Sequence, residues 1–172
     1  MSLQAEGRLG WRPMAAGDLR AVEAIGEAVH LAYPEDPEVF AERLALFPIG
    51  CHVLQRGEAL AGYVISHPWR VAAPPALNAR LGGLPQPADC YYIHDLALLP
   101  AVRGGGMARR VVRALGVMAF SLGLPEVALV AVGGSLGFWQ AQGFAALERP
   151  ELAEKLASYD AGARYMRRRL RP

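Results

Sequence analysis

The chain has 172 residues and a mass of 18.5 kDa, a size that suits one domain with a sizeable core. Hydrophobic residues make up 53% and charged residues 20%, which excludes a disordered tail and a coiled coil, and no stretch of about 18 apolar residues is free of charge, which excludes a membrane span. The net charge of +2 is too small to indicate nucleic-acid binding, and two cysteines, Cys51 and Cys90, are too few for a disulfide framework or a four-cysteine metal site. We therefore expect one domain over residues 1–172, without metal, nucleic acid or membrane as partners. Since the N-terminus lacks the pattern of a signal peptide, we expect the cytoplasm as its location.

The first part of the chain predicts two helices and a β-hairpin. Leu19, Val22, Ile25 and Val29 recur three or four residues apart after Asp18, a candidate N-cap, which is typical of an amphipathic helix. The hydrophobic pattern and the turn residues add a second short helix over 38–46 and a hairpin with strands over 51–55 and 59–66.

A long connection is predicted over 67–89, because five prolines and a glycine pair fall within it. Connections of this length are usually lids, binding loops or disordered segments. A helical turn is predicted within it, over 77–84.

The second half alternates strands and helices. Strands are predicted over 91–98, 126–132, 144–147 and 163–170, and helices over 107–120, 136–142 and 151–157. This order after a hairpin predicts an α/β fold in which helices flank a mixed β-sheet.

The segment that carries chemistry is the turn Arg103–Ala108, in which Gly104, Gly105 and Gly106 lie between a strand and a helix. Glycines allow backbone N–H groups to converge at the positive end of a helix dipole, which is an arrangement that holds phosphate. The part of the chain from Cys90 onward, with 11 basic and 6 acidic residues, also suits an anionic ligand. The alternatives are a glycine turn without a ligand and a scatter of surface charges. A nucleotide P-loop does not fit, because it ends in Gly-Lys-Ser/Thr and the last glycine here is followed by Met107-Ala108-Arg109. A dinucleotide fingerprint does not fit either, because Arg109 stands where it needs glycine or alanine.

Several motifs in order resemble those of the GNAT superfamily of N-acetyltransferases. The strand at 93–98 resembles that family's central strand, and the pattern Arg103-x-x-Gly106-x-Ala108 is similar to its pyrophosphate turn. The segment FWQAQGF at 138–144 resembles its Phe-Tyr-x-x-x-Gly-Phe element, and the chain's ending, YMRRRL, resembles its last strand. The resemblance implies the acyl-CoA N-acyltransferase fold, in which the sheet splays open between the fourth and fifth strands.

The resemblance also implies acetyl-CoA as co-substrate, with its pantetheine arm beside the central strand and its pyrophosphate on the glycine turn. Ser135 stands near a polar contact to CoA in the family, and Trp139 stands where many relatives have a tyrosine. The implied CoA-binding residues are Leu96, Ala97, Leu98, Arg103, Gly104, Gly105, Gly106, Met107, Ala108, Ser135 and Trp139.

The implied chemistry is direct acyl transfer from a thioester to a primary amine, which must lose a proton before it attacks. His94 and Asp95 are the candidate bases on the central strand, and Glu35 is a rival from across the cleft. Neighbours on a regular strand point to opposite faces, so only one of the pair faces the acyl group unless a bulge re-aims them. The alternative for His94 is a hydrogen-bonded histidine of the sheet.

A proton donor to the departing thiolate is harder to assign, because Trp139 replaces the tyrosine that many relatives use. An indole N–H is a far poorer acid than a phenol, and core packing is the alternative for this residue. The role then falls to Tyr91, Tyr92, water or no group at all.

The acceptor cleft is expected beneath the proline-rich connection, with Tyr33, Glu35, His67 and Trp69 as substrate-contacting residues. Aromatic walls and a carboxylate suit a small cationic amine. The leading hypothesis is therefore an acetyl-CoA-dependent N-acetyltransferase that acts on a small-molecule amine. The alternatives are a non-catalytic acyl-CoA-binding module, acetylation of a peptide or protein amine, and a structural protein without ligand. A homodimer is a family expectation.

Overall fold

One mixed sheet of seven strands organises the chain in this computed structural model, which describes residues 7–171. The strands are β1 (Gly10–Pro13), β2 (Cys51–Arg56), β3 (Ala59–Trp69), β4 (Cys90–Leu98), β5 (Glu126–Ala131), β6 (Ala145–Ala146) and β7 (Arg164–Arg169), in the spatial order β1-β2-β3-β4-β5-β7-β6. All neighbours are antiparallel except β4 and β5, which are parallel. The predicted α/β fold with a mixed sheet is confirmed.

Helices cover both faces of the sheet. They are α1 (Leu19–Val29), α2 (Pro37–Leu46), α3 (Met107–Ser121), α4 (Leu136–Ala141) and α5 (Ala153–Ala157). The apolar stripe of α1 packs with α2 against β2 and β3, whereas α3 buries Val111, Val112 and Leu115 against β4 and β5. Within residues 7–171 no helix is both long enough and apolar enough to cross a membrane.

The start of α1 differs from the prediction for Asp18. Its side chain makes no capping bond to the helix and instead accepts hydrogen bonds from the Arg12 guanidinium, at 2.7 and 2.8 Å, and from the Ala15 amide at 2.8 Å. These bonds hold the pKa of Asp18 below its ordinary value, mainly through the bond from Arg12. The residue therefore fixes β1 to the beginning of the helix, which is a different role from a cap.

Strand β3 is longer than predicted and continues to Trp69. Its last residues pair with the first residues of β4, His67 with Tyr92 and Pro68 with Tyr91. The connection is therefore shorter, covering 70–89, and it contains no helical turn at 77–84.

The connection is fastened to α2 by Glu42. The carboxylate of this residue accepts the amides of Leu81 at 2.6 Å and Gly82 at 2.9 Å and pairs with Arg43 at 2.8 Å. Arg43 is 1% exposed and donates to the carbonyl of Ala79. Burial acts to raise the pKa of Glu42, but the two amides and Arg43 outweigh it, so the pKa lies below its ordinary value.

Strands β4 and β5 pair at only two positions, Tyr91 with Val127 and Tyr92 with Ala128, and then diverge. On its other edge β4 remains paired with β3 as far as Leu98. The sheet is therefore open between its two parallel strands, as the resemblance implied.

A β-bulge lies in β4 at His94. Ile65 of β3 pairs with Asp95 and the next residue, Ser66, pairs with Ile93, which leaves His94 as the extra residue. The bulge inverts the alternation of side chains, so that Ile93 packs on the α3 face whereas Asp95 contacts residues of the α1 face.

We predict that Glu42→Ala lowers the free energy of unfolding by about 2 kcal/mol or more, because it leaves two amides without their acceptor and Arg43 buried without its carboxylate. Denaturant unfolding measures the change. Glu38→Ala is the matched control on the same helix, since Glu38 is exposed.

The pH dependence has a defined sign. A carboxylate whose pKa is lower in the folded state stabilises the fold at pH values above the ordinary pKa of glutamate. This contribution is lost as the pH falls through the pKa of the folded state. The difference in stability between wild type and Glu42→Ala should therefore shrink on acidification, and a constant difference would contradict the assignment.

Candidate active site

A cavity of about 950 Å³ occupies the opening between β4 and β5. It extends from the glycine turn before α3, along the side chains of Leu96 and Leu98, to His94 and Asp95. Leu129 of β5 and Trp139 of α4 form the opposite wall.

The glycine turn presents its backbone to this cavity. Gly104 and Gly106 have φ of 82° and 78°, a left-handed conformation that side chains other than glycine rarely adopt. A Cβ placed on Gly104 or Gly105 would meet no atom within 4 Å. Within residues 7–171 the amides of 104–109 make no backbone hydrogen bond, so they and the N-terminus of α3 form a cradle for an anion.

Arg103 is tied to the end of β4, because its Nε donates to the carbonyl of Leu98 at 2.9 Å. This bond sets the start of the turn. Ala97 is 1% exposed and packs on the α1 face, so only its backbone is in line with the cavity-lining neighbours Leu96 and Leu98.

A second, smaller cavity of about 60 Å³ joins the large one. Glu35, Ala76, Leu77, Tyr92 and Tyr159 line only the smaller cavity. Six residues line both cavities and so mark the junction: His30, Tyr33, His94, Asp95, Val130 and Val132.

Two histidine–carboxylate pairs meet at the junction. In the first, His94 Nε2 lies 2.9 Å from Glu35 Oε2, and the two side chains are 9% and 7% exposed. Because the bulge adds a residue at His94, this ring and the neighbouring Asp95 carboxylate both reach the cavities.

The second pair is His30 and Asp95. His30 Nε2 lies 2.7 Å from Asp95 Oδ1, outside the angle of a regular hydrogen bond, and the other oxygen of Asp95 accepts the hydroxyl of Tyr63. Burial acts to lower the pKa of His30, but Asp95 and the charge of Glu35 outweigh it, so this pKa is raised. Burial acts to raise the pKa of Asp95, and His30 with its charge outweighs it, so that pKa is lowered.

The structure places Tyr91 away from the cavities, which corrects its assignment as a candidate proton donor. Tyr91 is fully buried on the α3 face, where its hydroxyl lies 2.8 Å from Ser66 Oγ and donates to Met118 Sδ at 3.2 Å. Burial raises the pKa of this phenol further above its ordinary value.

His67 and Trp69 also lie outside both cavities, because they belong to the extension of β3. His67 is 1% exposed beside Trp69 and Tyr92, and burial lowers its pKa to about 3. Trp69 Nε1 donates to the carbonyl of Ala73 at 2.7 Å. The ring of His67 lies 6.4 Å from the ring of His94, and neither His67 nor Trp69 lines either cavity.

The remaining predicted residues reach the cavities. Tyr33 stands at the junction, and its hydroxyl donates to Asp160, a bond that raises the pKa of the phenol. Ser135 lines the large cavity, but its hydroxyl donates to the carbonyl of Val132 at 2.7 Å. Trp139 lines the same cavity while packing edge-on against Phe138 and Phe144.

Two residues of the site were not predicted: His30, which lines both cavities, and Tyr63, which lines neither but donates a hydrogen bond to Asp95. His30 follows the last residue of α1, and Tyr63 lies in the middle of β3. The available signal was a histidine just beyond an amphipathic helix, which on its own is as typical of a helix C-terminus as of a catalytic site.

In the described part of the chain, histidines, cysteines and carboxylates form no group of three or more placed to hold a metal ion. Asp95 at the junction and Glu35 in the smaller cavity each have a histidine partner.

The comparisons with known proteins now identify the class. The model of the acetyltransferase (GNAT) family matches residues 21–144, and the chain belongs to this family. No protein of curated function matches the chain in sequence.

Solved structures share the fold at low sequence identity. Ard1 from Thermoplasma volcanium has a TM-score of 0.72 at 14% identity, over 95% of this chain and 99% of that chain. The loading GNATL domain of CurA from Lyngbya majuscula has a TM-score of 0.75 at 13% identity, over 95% and 98%. Naa50 from Arabidopsis thaliana, in complex with the bisubstrate analogue CoA-Ac-MVNAL, has a TM-score of 0.66 at 12% identity, over 92% and 96%.

The site geometry predicts that Asp95→Asn lowers the pKa of His30. Burial lowers the pKa of His30, and the substitution removes the Asp95 charge that opposes this effect, so the pKa of His30 should be lower in the variant than in wild type. NMR titration of the histidine rings measures this value. His52 is the internal control, because burial alone lowers its pKa and it lies outside both cavities.

The same pair has a signed effect on stability. A histidine whose pKa is higher in the folded state stabilises the fold at pH values below its pKa in the unfolded state. This contribution is lost as the pH rises through the pKa of the folded state. We expect wild type to lose stability over this interval and Asp95→Asn not to. A His30 pKa that is unchanged in the variant would contradict the pairing.

Proposed function

We propose that this chain is an acetyl-CoA-dependent N-acetyltransferase that transfers the acetyl group to the primary amine of a small cationic molecule. The observation that carries the proposal is the junction of two cavities at His94 and Asp95, one leading to the glycine cradle and the other lined by carboxylates and tyrosines. Family membership supports acyl transfer in general. The amine acceptor and the acetyl donor are our inference from the site.

The large cavity fits an acyl-CoA. The amides of the glycine turn and the N-terminus of α3 would hold the pyrophosphate, with charge added by Arg103. The edge of β4 that β5 leaves unpaired would hold the pantetheine amides as a neighbouring strand would. Bound there, acetyl-CoA supplies the activated acyl group as a thioester.

In this proposal His94 is the base. Its Nε2 is held by Glu35, which leaves Nδ1 for the attacking nitrogen, and Nδ1 is not among the fully buried atoms that lack a partner. An amine is mostly protonated at neutral pH, so removing its proton is a condition for attack. A neutral imidazole is suited to this role near neutral pH.

The lining of the small cavity favours a cationic acceptor. Glu35 and Asp95 provide negative charge, and Tyr33, Tyr92 and Tyr159 provide aromatic walls. A volume of about 60 Å³ admits an amine and a few further heavy atoms, so the rest of the acceptor would lie outside it.

The direct test is acetyl-CoA with a panel of primary amines, measured as release of the free thiol. The panel contains diamines, amino acids with a free α-amine and short peptides. We expect turnover with at least one small diamine. A monoamine of the same length, which lacks the second ammonium group, should have a lower kcat/KM. Binding of acetyl-CoA without turnover on any amine would instead indicate a binding module, and preference for the peptides would indicate a peptide acceptor, as in the CoA-Ac-MVNAL analogue bound to Naa50.

The CoA assignment predicts that Gly106→Val abolishes binding of acetyl-CoA measured by calorimetry. A β-branched side chain at φ of 78° distorts the turn and blocks approach to its amides. Gly123→Val is the matched control, because Gly123 has φ of 74°, lies in open space and ends the same helix. Both variants should lose similar stability, and equal acetyl-CoA affinity in the two would refute the cradle.

A further inference from the structure

The junction holds a second histidine that the proposed base does not explain. His30 projects from the end of α1 and lines both cavities, on the side of the site opposite β5 and α4. No residue of α1 was expected to contribute chemistry. A partly buried ionisable ring where two cavities meet is a candidate for a functional role.

His30 and its carboxylate partner both line the donor cavity. His30 and Asp95 line the large cavity as well as the small one, whereas Glu35, the partner of His94, lines only the small cavity. Of the two histidine–carboxylate pairs, His30–Asp95 is therefore the one whose two members both reach the space proposed for the acyl donor.

We propose that His30 is the proton donor to the departing thiolate, with Asp95 and Tyr63 as its positioning residues. This inference rests on the proposed acyl transfer and deepens it. It supplies an acid that the aromatic residues do not, because Trp139 is a poor acid and Tyr91 is buried in the core. The hydroxyl of Tyr33 donates to Asp160, and Tyr92 lines only the acceptor cavity.

The step balances in protons and electrons. His94 takes the ammonium proton of the amine, and the free amine then attacks so that the N–C bond to the acyl carbon forms. The S–C bond breaks with its electron pair on sulfur, and the second proton of the nitrogen, which is acidic once that nitrogen is bonded to the acyl carbon, passes to solvent. The His30 imidazolium then gives a proton to that sulfur and becomes neutral. His94 then releases its added proton to solvent and His30 takes up a proton from solvent, which returns both side chains to their starting states.

The surroundings of His30 suit a protonated ring. Asp95 on β4 and Glu35 before α2 favour its charge, whereas burial and Arg103 oppose it, and the balance raises its pKa. Asp95 lies against Nε2, and Nδ1 makes no hydrogen bond within residues 7–171 and is not among the fully buried atoms without a partner. Nδ1–H is therefore the proton available to the cavity.

Tyr63 holds the carboxylate of Asp95, which in turn positions the His30 ring. Its hydroxyl donates to Asp95 Oδ2, and the ring is fully buried against Phe40 of α2. Strand β3, the end of α1 and the bulged strand β4 therefore position the His30 ring together.

The test compares His30→Gln, His94→Gln and wild type with two acceptors, the best amine of the panel and hydroxylamine. Hydroxylamine is mostly unprotonated at neutral pH, so it does not need the base but still requires a protonated leaving group. We expect His30→Gln to lower kcat by about 10²-fold with both acceptors. We expect His94→Gln to be impaired with the amine and largely restored with hydroxylamine.

The pH profile gives a second readout. A donor must be protonated, so the wild-type kcat should fall as pH rises through the His30 pKa, and His30→Gln should lack this limb. Acetyl-CoA affinity by calorimetry shows that the variant is folded and binds the donor. His52→Gln, outside both cavities, is the matched control and should keep the wild-type profile.

The outcomes separate the two proposals. Wild-type protein that transfers to neither acceptor would overturn the proposed function and this inference with it. If wild type is active and His30→Gln keeps both the wild-type kcat and the fall of kcat at high pH, only the role of His30 would be overturned. Recovery of His30→Gln with hydroxylamine would show that His30 serves the acceptor and is not the thiolate's proton donor.

Discussion

The early end of the pairing between β4 and β5 is the constraint on which the site depends. Parallel strands in the middle of a sheet normally satisfy each other's backbone groups along their length. Here only two residue pairs do so, while β3 holds β4 rigid as far as Leu98. The cavity follows from this divergence, and so does the access of the glycine turn and the junction residues to one continuous space.

The sequence predicts the elements whose patterns are strong and local. The stripe of α1, the arginine-free face of α3 and the apolar run of β5 each indicate their own burial. The glycine turn is predictable for the same reason, because left-handed φ at Gly104 and Gly106 follows from residue type. The extension of β3 through Pro68 is not predictable in this way, since only the pairing with Tyr91 stabilises a proline at that position.

The candidate site is less accessible to prediction because its parts are distant in sequence. Strict alternation would place Tyr91, Ile93 and Asp95 on one face of the sheet. The bulge at His94 breaks the alternation, so that Asp95 turns toward α1 while Tyr91 remains under α3. A single inserted residue therefore decides which side chains meet, and no local pattern in the strand indicates it.

The chemistry at the junction also explains why Trp139 is compatible with a functional site. In the proposed mechanism the proton for the leaving group comes from α1, across the cleft from α4. The α4 position can then contribute packing alone: Trp139 packs edge-on against Phe138 and Phe144 and, with Phe138, lines the cavity. The two carboxylates of the site are held by histidines, Asp95 by His30 and Glu35 by His94, and so do not depend on a side chain of α4. In the proposed mechanism, the chain Tyr63–Asp95–His30 therefore supplies the proton that a phenol at the position of Trp139 would otherwise supply.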